Sequence, residues 1–386
     1  MSRFPEMSSA GASVPASIFA RLREHLARYG GDVIPLQIGD TYLAPPARLD
    51  AIGWADHAPS ELYAYGAPTG WTPLVEAIVE KVAAKNAIAI TPAQVQIACG
   101  ATHALSCAVQ ALCDPGDELI LLTPHWPLIR GIALGHHVAP IEVPFSMRLP
   151  ASDVTALIEP AITPRTSAIY VATPNNPDGA MLSAAELRAI AGLADRHGLW
   201  LLSDEVYEDY GYEATHASLA AQPGAAERTV TVFSFAKSYA QAGLRVGYAI
   251  GPELAIATIR KLINHSVYNV PVAMQRAALG ALRTGEGFLA TARDAYRTAR
   301  DRVRARLHVP TDNPAGGAYV WLDLRQWSSD DCMPVLERCA AAGVLLAPGS
   351  AFGAPCAGFA RLCFTGVEPA VLDEGIDRIN AVIGSL

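Results

Sequence analysis

The chain has 386 residues, of which 51% are hydrophobic and 17% are charged, so it can form two or three folded domains with a large core. Lys and Arg total 29 against 37 Asp and Glu, which gives a net charge of −8 at pH 7. This balance argues against a general nucleic-acid-binding protein, because such proteins present a basic surface to phosphate. The composition is typical of a soluble enzyme.

The N-terminal residues contain no apolar segment of the kind that a secretory signal needs. The most apolar stretch, residues 119–134, is interrupted by two prolines and an arginine and is too short to cross a membrane. The seven cysteines include no C-x-x-C pair, so they indicate neither a metal site nor a disulfide framework. We therefore expect a cytoplasmic protein that binds neither membranes nor metals.

Helical and strand patterns alternate along the first three quarters of the chain. The sequence predicts a helix over 17–30 that ends at the Gly30-Gly31 pair, and another over 72–86 with a proline in its first turn. Seven short apolar runs then alternate mostly with Ala- and Leu-rich stretches: QVQIAC, DELILLTP, HVAPIEVPF, TSAIYVATP, LWLLSDEVY, RTVTVFSF and RVGYAIG. This alternation predicts an α/β fold with a mainly parallel seven-stranded sheet and helices on both faces.

The pattern changes after residue 285. An arginine-rich helix, FLATARDAYRTARDRVRARL, is followed by the strand-like AYVWLDL, a helix near 334–342, VLLAPG and the strand-like FARLCFT. We predict a smaller α+β domain over 286–386, joined by the N-terminal segment 1–49, beside a large α/β domain over 50–285. Ligands of open α/β sheets bind outside the carboxyl ends of the strands, so the polar residues that follow each run are the candidates for a site.

A lysine follows one of these strands in TVFSFAKSYAQAGLRVGY. Lys237 comes three residues after Ser234 and eight residues before Arg245. Lysines are rarely buried without a partner or a function, and a desolvated lysine with a lowered pKa is a nucleophile toward a carbonyl carbon. Taken alone, Lys237 is more simply a surface lysine, but its neighbours favour a function.

Polar residues follow two neighbouring strands in the same way. Asp204 ends LWLLSD, where its carboxylate needs a cationic partner, and Tyr207 comes three residues later. Asn176 lies in the turn-forming TPNNPDG after another strand, and alone it is more simply a turn residue.

Two further features suit a flat, phosphorylated ligand. In CGATHAL, Ala101 and Thr102 lie between a strand and a helix, where backbone amides and a hydroxyl can bind phosphate. Trp126 follows the next strand and offers its indole face to a planar ring. Together these side chains match a ligand with a ring, a basic ring nitrogen, a phenolic oxygen, a phosphate and an aldehyde. Pyridoxal 5′-phosphate has these groups.

The sequence resembles the class I/II aminotransferases, which are fold-type I pyridoxal-phosphate enzymes of the aspartate and aromatic aminotransferase kind. The matching segments follow the order of the family between about residues 36 and 365: LQIG, YGAPTG, CGATHAL, DPGDELILLTPHW, TPNNPDG, SDEVYEDY, SFAKSYAQAGLRVGY, LLAPGSAFG and FARLCF. The resemblance implies transfer of an amino group between an L-amino acid and a 2-oxo acid in two successive half-reactions.

The resemblance also implies a role for each matching residue. Lys237 holds the cofactor as a Schiff base and moves the proton of the substrate's Cα, while Asp204 keeps the ring nitrogen protonated. Asn176 and Tyr207 bind the phenolic oxygen of the ring, and Trp126 stacks on it. The phosphate is held by Ala101, Thr102, Ser234 and Arg245.

Three more positions follow from the resemblance. Arg361 in FARLCF matches the arginine that binds the substrate's α-carboxylate, and Gly39 in LQIGD matches a glycine whose backbone approaches the substrate. Tyr65 in YGAPTG matches a tyrosine that reaches the phosphate in the partner subunit. The resemblance therefore implies a homodimer with shared active sites.

One departure from the family pattern bears on which substrate side chain the enzyme binds. Aspartate-type relatives have an arginine three residues before a tyrosine, and this chain has His265 before Tyr268. Histidine is at most partly charged at pH 7 and cannot form a bidentate pair with a carboxylate. We therefore expect a neutral or aromatic amino donor, unless another arginine such as Arg130 or Arg21 reaches the substrate. Glutamate stays open as the second substrate.

Two other functions stay open at this point. A pyridoxal-phosphate-dependent lyase, replacement enzyme or cyclase acting at Cβ or Cγ would share the fold and the cofactor. A transcription regulator with this fold would need a DNA-binding domain ahead of LQIG, which about 35 residues and a negative charge do not favour.

Overall fold

The structure is a computed structural model, and it describes residues 6–16, 22, 26, 29–48, 57–145 and 151–386. Most of the helix predicted over 17–30 lies outside the described residues. The described helices are α1 Ser9–Ser13, α2 Pro59–Leu62, α3 Thr72–Asn86, α4 Gly100–Leu112, α5 Pro127–Gly135, α6 Ala151–Ile158, α7 Ala184–His197, α8 Phe235–Ser238, α9 Glu253–Ser266, α10 Val272–Thr284, α11 Glu286–Arg306, α12 Met333–Ala341 and α13 Pro369–Gly384. The strands are β1 Ile34–Pro35, β2 Val95–Ala98, β3 Glu118–Thr123, β4 Ala139–Pro144, β5 Thr166–Ala172, β6 Trp200–Asp204, β7 Thr229–Ser234, β8 Gly247–Ile250, β9 Tyr319–Asp323, β10 Val344–Leu345, β11 Ala347–Pro348 and β12 Phe359–Cys363.

A seven-stranded sheet with the order β2-β8-β7-β6-β5-β3-β4 contains all seven of the predicted apolar runs. Five adjacent strands of this sheet, in the order β7, β6, β5, β3 and β4, are all parallel to one another. Strand β8 is antiparallel to both of its neighbours, β2 and β7. Strands β3, β6 and β7 are buried almost throughout because helices pack against both faces of the sheet. The predicted α/β fold class is confirmed.

The parallel arrangement brings five strand ends to one edge of the sheet. Strands β5, β6 and β7 end at 172, 204 and 234 and run side by side, so the residues that follow them are neighbours. Strand β2 runs in the same direction as β7 because β8 is antiparallel to both. The residues that follow β2 and β3 therefore reach the same edge.

A second, smaller assembly contains the C-terminal elements. Strands β11, β12 and β9 form an antiparallel sheet, and helices α11, α12 and α13 contribute to the apolar cluster beneath it. The N-terminal strand β1 pairs in parallel with β10, with Ile34 opposite Val344. The N-terminal segment thus contacts the C-terminal elements. The domain boundaries at 49/50 and 285/286 stay predictions.

Within the described part of the chain, no helix is both long enough and apolar enough to span a membrane.

Candidate active site

One cavity of 940 Å³ opens at the carboxyl edge of the large sheet. Its wall also includes residues of the smaller assembly, from strand β9, from 350–354 and from strand β12. The predicted site residues that line it are Gly39, Ala101, Thr102, Trp126, Asn176, Asp204, Tyr207, Ser234, Lys237, Arg245 and Arg361. Positions that are as many as 322 residues apart in the chain therefore share one enclosed space.

Lys237 lies in the short helix that follows strand β7. Ser234 caps this helix by accepting a 3.1 Å hydrogen bond from the amide of Ala236. The Lys237 ammonium donates a hydrogen bond to the carbonyl oxygen of Gly39, and its Nζ lies 6.0 Å from the centre of the Tyr207 ring. The amine thus lies in the cavity between the two assemblies, held by a carbonyl and by no carboxylate among the described residues.

Asp204 is a buried carboxylate at the end of strand β6. Its Oδ2 accepts a 2.7 Å hydrogen bond from the Tyr170 hydroxyl, and its Oδ1 accepts one of 3.3 Å from the amide of Val206. Burial raises the pKa of Asp204 to about 6, although the Tyr170 hydrogen bond lowers it. A cation placed against this carboxylate would favour its ionised form.

Tyr207 meets Tyr319 across the boundary between the two assemblies. Their hydroxyl oxygens are 2.6 Å apart, and burial holds the pKa of Tyr207 well above its ordinary value. The Tyr319 hydroxyl also lies over Gly39, where an added Cβ would come within 1.9 Å of it. Only glycine at position 39 leaves space for this hydroxyl.

Arg361 is almost fully buried in strand β12. Its guanidinium donates hydrogen bonds to Asn176 Oδ1 at 2.8 Å and to the carbonyl oxygen of Gln37 at 2.5 Å. It also lies over the ring of Tyr319, 4.2 Å from the ring centre. Its Nε has no hydrogen-bond partner among the described residues. A planar donor fixed in this way is suited to a carboxylate.

The start of helix α4 forms another part of the wall. Gly100 has a φ of +77°, and a Cβ added there would lie 2.5 Å from Nη2 of Arg245. The side chains of Arg245 and Thr102 and the amides of Ala101 and its neighbours therefore lie close together. Backbone amides, a hydroxyl and a guanidinium around one space are the donors that a phosphate group needs.

Three predicted residues do not line this cavity in their own chain. Tyr65 and Tyr268 are exposed and contact one another, with ring centres 4.7 Å apart. His265 is exposed at the end of helix α9, and its Nδ1 lies 2.7 Å from the carbonyl oxygen of Lys261. Any contribution of these residues to a site must come through another copy of the chain.

Comparison with known families identifies the fold and the chemistry together. The family model described as aminotransferase class I and II matches residues 32–379. The chain belongs to the class I and II aminotransferases. The family predicted from the sequence is confirmed, and the enzyme is an aminotransferase.

Relatives of this aminotransferase differ in their named substrates. A probable aspartate/prephenate aminotransferase of Thermus aquaticus is 34% identical over 365 residues, which are 92% of this chain and 93% of the relative. An arginine–pyruvate transaminase of Pseudomonas aeruginosa is also 34% identical, over 91% of this chain and 90% of its own. The solved structure of Thermus thermophilus aspartate aminotransferase with maleate matches with a TM-score of 0.90 and 31% identity, over 98% of this chain and 100% of its own.

Class I and II aminotransferases use pyridoxal 5′-phosphate, and it is the cofactor of this enzyme. The residues of the cavity fit it. Asp204 is a buried carboxylate with no cationic partner in contact with it among the described residues, and Arg245 lies against a helix start that only glycine leaves open. An amine, a buried acid and an anion cradle are the groups that an aldehyde, a basic ring nitrogen and a phosphate require.

Sequence reasoning missed Tyr170, Tyr319 and Gln37, which all line the aminotransferase cavity. Tyr170 and Tyr319 lie inside the apolar runs SAIYV and AYVWL, where tyrosine is more often a packing residue. Gln37 contributes its backbone carbonyl, which has no residue-specific signal. Alternation along strand β5 does place Tyr170 on the same face as Ala172, the residue that pairs with Asp204, but the register is known only from the structure.

Proposed function

We propose that the cavity binds an L-amino acid and a 2-oxo acid in turn, and that Lys237 moves the proton of the substrate's Cα. When bound, pyridoxal phosphate supplies an electron sink for negative charge at that carbon and carries the amino group between the two half-reactions. The observation that carries the proposal is that an amine, Lys237, and a buried guanidinium, Arg361, line one cavity together with the buried acid Asp204.

The cofactor would be held by residues on several sides of the cavity. Asp204 would pair with the ring nitrogen, and this pairing would favour the ionised carboxylate that burial alone disfavours. Tyr207 and Asn176 would bind the phenolic oxygen, and Trp126 would cover a face of the ring. Ala101, Thr102, Ser234 and Arg245 would bind the phosphate.

Arg361 would bind the α-carboxylate of both substrates. Asn176 and the Gln37 carbonyl already fix two of its nitrogens, so little side-chain entropy is lost when the substrate binds. The unpartnered Nε and the free edges of the guanidinium would then complete a charge-assisted pair. This contact orients the substrate and places its Cα toward Lys237.

The Lys237 amine would hold and return the proton. Its contact with the Gly39 carbonyl aims Nζ into the cavity, and a carbonyl oxygen does not take the proton from it. Burial keeps Tyr207 protonated, so its hydroxyl would serve as a hydrogen-bond partner and not as a base.

We also propose a homodimer with shared sites. Three large aromatic side chains are exposed in this region: Tyr63, Tyr65 and Tyr268. Tyr65 contacts Tyr268 and lies two residues after Tyr63, and both Tyr63 and Tyr65 are more than four-fifths exposed. A partner subunit that covers them would bring Tyr65 to the phosphate, and His265 and Tyr268 to the neighbouring substrate. The cytoplasmic location stays a prediction.

The amino donor is proposed to have a neutral or aromatic side chain, because His265 replaces the arginine of aspartate-type relatives. The names of the relatives include aspartate, prephenate and arginine, so at about one-third identity they favour no single donor. A lyase, replacement or cyclase reaction is less favoured, because the relatives described above are named aminotransferases or transaminases.

A panel of amino acids added to the pyridoxal-phosphate-loaded enzyme tests the proposal. After each single turnover the protein is denatured, and released pyridoxamine phosphate and 2-oxo acid are measured by chromatography. We expect the two products in equal amounts from at least one neutral or aromatic amino acid, with no ammonia. Lys237→Ala should give neither, whereas the exposed-helix control Lys261→Ala should react normally. Ammonia with no pyridoxamine phosphate would instead establish the elimination chemistry.

A further inference from the structure

An ion pair between Arg130 and Glu142, which the cofactor and the α-carboxylate leave unassigned, lines the same cavity. Arg130 lies one helical turn after Trp126 in helix α5, and Glu142 lies in the edge strand β4. The Arg130 Nε is 3.2 Å from Oε1 of Glu142. The Arg130 side chain is 43% exposed and that of Glu142 only 18%, so the guanidinium is the more accessible member of the pair.

Glu142 accepts one hydrogen bond and has two further nitrogen neighbours, those of His125 and Arg130. Its Oε2 accepts a 2.9 Å hydrogen bond from the amide of Ala354, and His125 Nε2 lies 3.6 Å from its Oε1. The contact with His125, then those with Ala354 and Arg130, holds the pKa of Glu142 at about 2 despite its partial burial. Glu142 is therefore an anion at neutral pH, and it holds Arg130 by one nitrogen.

This arrangement leaves the end of the guanidinium available. Among the described residues, no hydrogen bond to the two terminal nitrogens of Arg130 is found. The lining of the cavity also includes the apolar residues Val14, Pro15, Leu128 and Phe352, and Val14 and Pro15 approach helix α5 at Gly131, next to Arg130. The cavity therefore combines apolar residues beside helix α5 with an anchored guanidinium that can bind a carboxylate through two nitrogens.

We propose that Arg130 allows a dicarboxylic 2-oxo acid to serve as the second substrate, by binding its distal carboxylate, alongside a neutral or aromatic amino donor. The proposal rests on the proposed function, in which Arg361 binds the α-carboxylate. A neutral or aromatic side chain would contact the apolar wall, and Arg130 would keep its partner Glu142. Neither substrate would then leave an uncompensated charge in the cavity, which is the costly case.

A binding comparison on the pyridoxal-phosphate-loaded enzyme tests this role without turnover. Glutarate carries two carboxylates, and pentanoate has a methyl group in place of the second. Dissociation constants of both are measured by calorimetry at fixed ionic strength. We expect wild type to prefer glutarate, and Arg130→Gln to reduce that preference at least about tenfold, or about 1.4 kcal/mol. Arg130→Lys should retain part of it, since lysine keeps the charge but not the bidentate geometry.

Arg297→Gln is the matched control. Arg297 lies in helix α11 outside the cavity, pairs with Asp294 at 3.0 Å and is 47% exposed. Its substitution should leave the preference unchanged. The preference should also be constant from about pH 6.5 to about pH 9, because a guanidinium keeps its charge over that range, whereas recognition by an imidazole would fade.

Three results would overturn the role of Arg130. In the first, the preference of Arg130→Gln for glutarate over pentanoate stays within about threefold of the wild-type value. In the others, Arg297→Gln loses as much of the preference as Arg130→Gln, or the wild-type preference disappears between about pH 6.5 and about pH 9. Failure of the proposed function has a separate signature, because an enzyme that produces no 2-oxo acid from any amino acid is not explained by Arg130 at all.

Discussion

Tyr170 donates a 2.7 Å hydrogen bond from its phenolic hydroxyl to Oδ2 of Asp204, and both side chains are buried at the carboxyl edge of the sheet. The strand register accounts for the contact. Ala172 pairs with Asp204 and Tyr170 pairs with Leu202, so Tyr170 is two residues back on the same face of the neighbouring strand. The hydrogen bond stabilises the ionised carboxylate, in opposition to the burial that raises its pKa.

Tyr170→Phe should therefore weaken cofactor binding. Without the hydroxyl, the pKa of Asp204 rises further above about 6, and the carboxylate becomes a poorer partner for a protonated ring nitrogen. A hydrogen bond to a charged group contributes about 1.5–3 kcal/mol, so the dissociation constant of pyridoxal phosphate should rise by about tenfold or more. The acidic limb of kcat/KM should move to higher pH.

Titration of the cofactor-free variant with pyridoxal phosphate measures this effect. Tyr248→Phe is the control, because Tyr248 is equally buried but stacks on Phe233, with ring centres 5.0 Å apart, outside the cavity. Wild-type affinity in Tyr170→Phe would contradict a link between the hydroxyl and the charge of Asp204.

The ionised Asp204 carboxylate should lower the free energy of unfolding of the cofactor-free protein at neutral pH. Its pKa is 3.8 when unperturbed and about 6 in the folded protein, a difference that corresponds to about 3 kcal/mol. Because the folded value is the higher one, stability falls as the pH rises from about 4 to about 6, and the full cost is present above that. Asp204→Asn should remove most of this cost. Its Oδ1 can still accept from the amide of Val206, and its Nδ2 can donate to the hydroxyl oxygen of Tyr170.

Urea unfolding of the cofactor-free proteins at low and high pH tests this sign. Asp204→Asn should be more stable than wild type at about pH 8, with little difference near pH 4. Asp323→Asn provides the opposite sign, because the hydrogen bond from Arg325 lowers the pKa of Asp323 and makes its charge stabilising. If wild type and Asp204→Asn show the same dependence of unfolding free energy on pH, burial does not penalise the charge of Asp204.

Gly39 and Tyr319 should be coupled energetically. An alanine Cβ at position 39 would lie 1.9 Å from the Tyr319 hydroxyl and 2.9 Å from the ring carbon that carries it, so Tyr319 must move. Its contacts with Tyr207 and Arg361 would then be lost, and kcat/KM should fall at least about tenfold. Tyr319→Phe in the Gly39→Ala background should recover part of this loss, because it removes the closest atom.

A double-mutant cycle measures that recovery. The four proteins are compared in kcat/KM for one amino donor, and the coupling free energy should exceed about 0.5 kcal/mol. Gly287→Ala is the control, since nothing lies within 4 Å of a Cβ there. Strictly additive effects would rule out the steric explanation for glycine at position 39.

The extent of prediction from sequence differs between the sheet and the site. The seven apolar runs form the seven strands, and buried strands such as β3, β6 and β7 carry a nearly continuous apolar signal. The residues that follow β2, β3, β5, β6 and β7 reach one edge because these strands run in the same direction. Tyr319 and Arg361 come from adjacent strands of the smaller sheet, and only the packing of that sheet against the large one places them in the cavity. Likewise nothing in the sequence pairs Arg130 with Glu142, because their contact depends on how helix α5 crosses strand β4.

The last prediction concerns assembly. If Tyr65 reaches the phosphate of the partner subunit, each site of a dimer needs Lys237 from one chain and Tyr65 from the other. Lys237→Ala and Tyr65→Ala homodimers should then both be impaired, Lys237→Ala by several orders of magnitude. Mixing them in equal amounts under conditions that exchange subunits gives hybrids with one complete site, so activity should rise toward about a quarter of wild type.

Tyr63→Ala is a closely matched control, because Tyr63 is 85% exposed against 84% for Tyr65 and lies two residues away. It should keep its own activity, and sedimentation should give a dimer for every variant. A fully active monomer, or no recovery after proven subunit exchange, would mean that each chain completes its site alone.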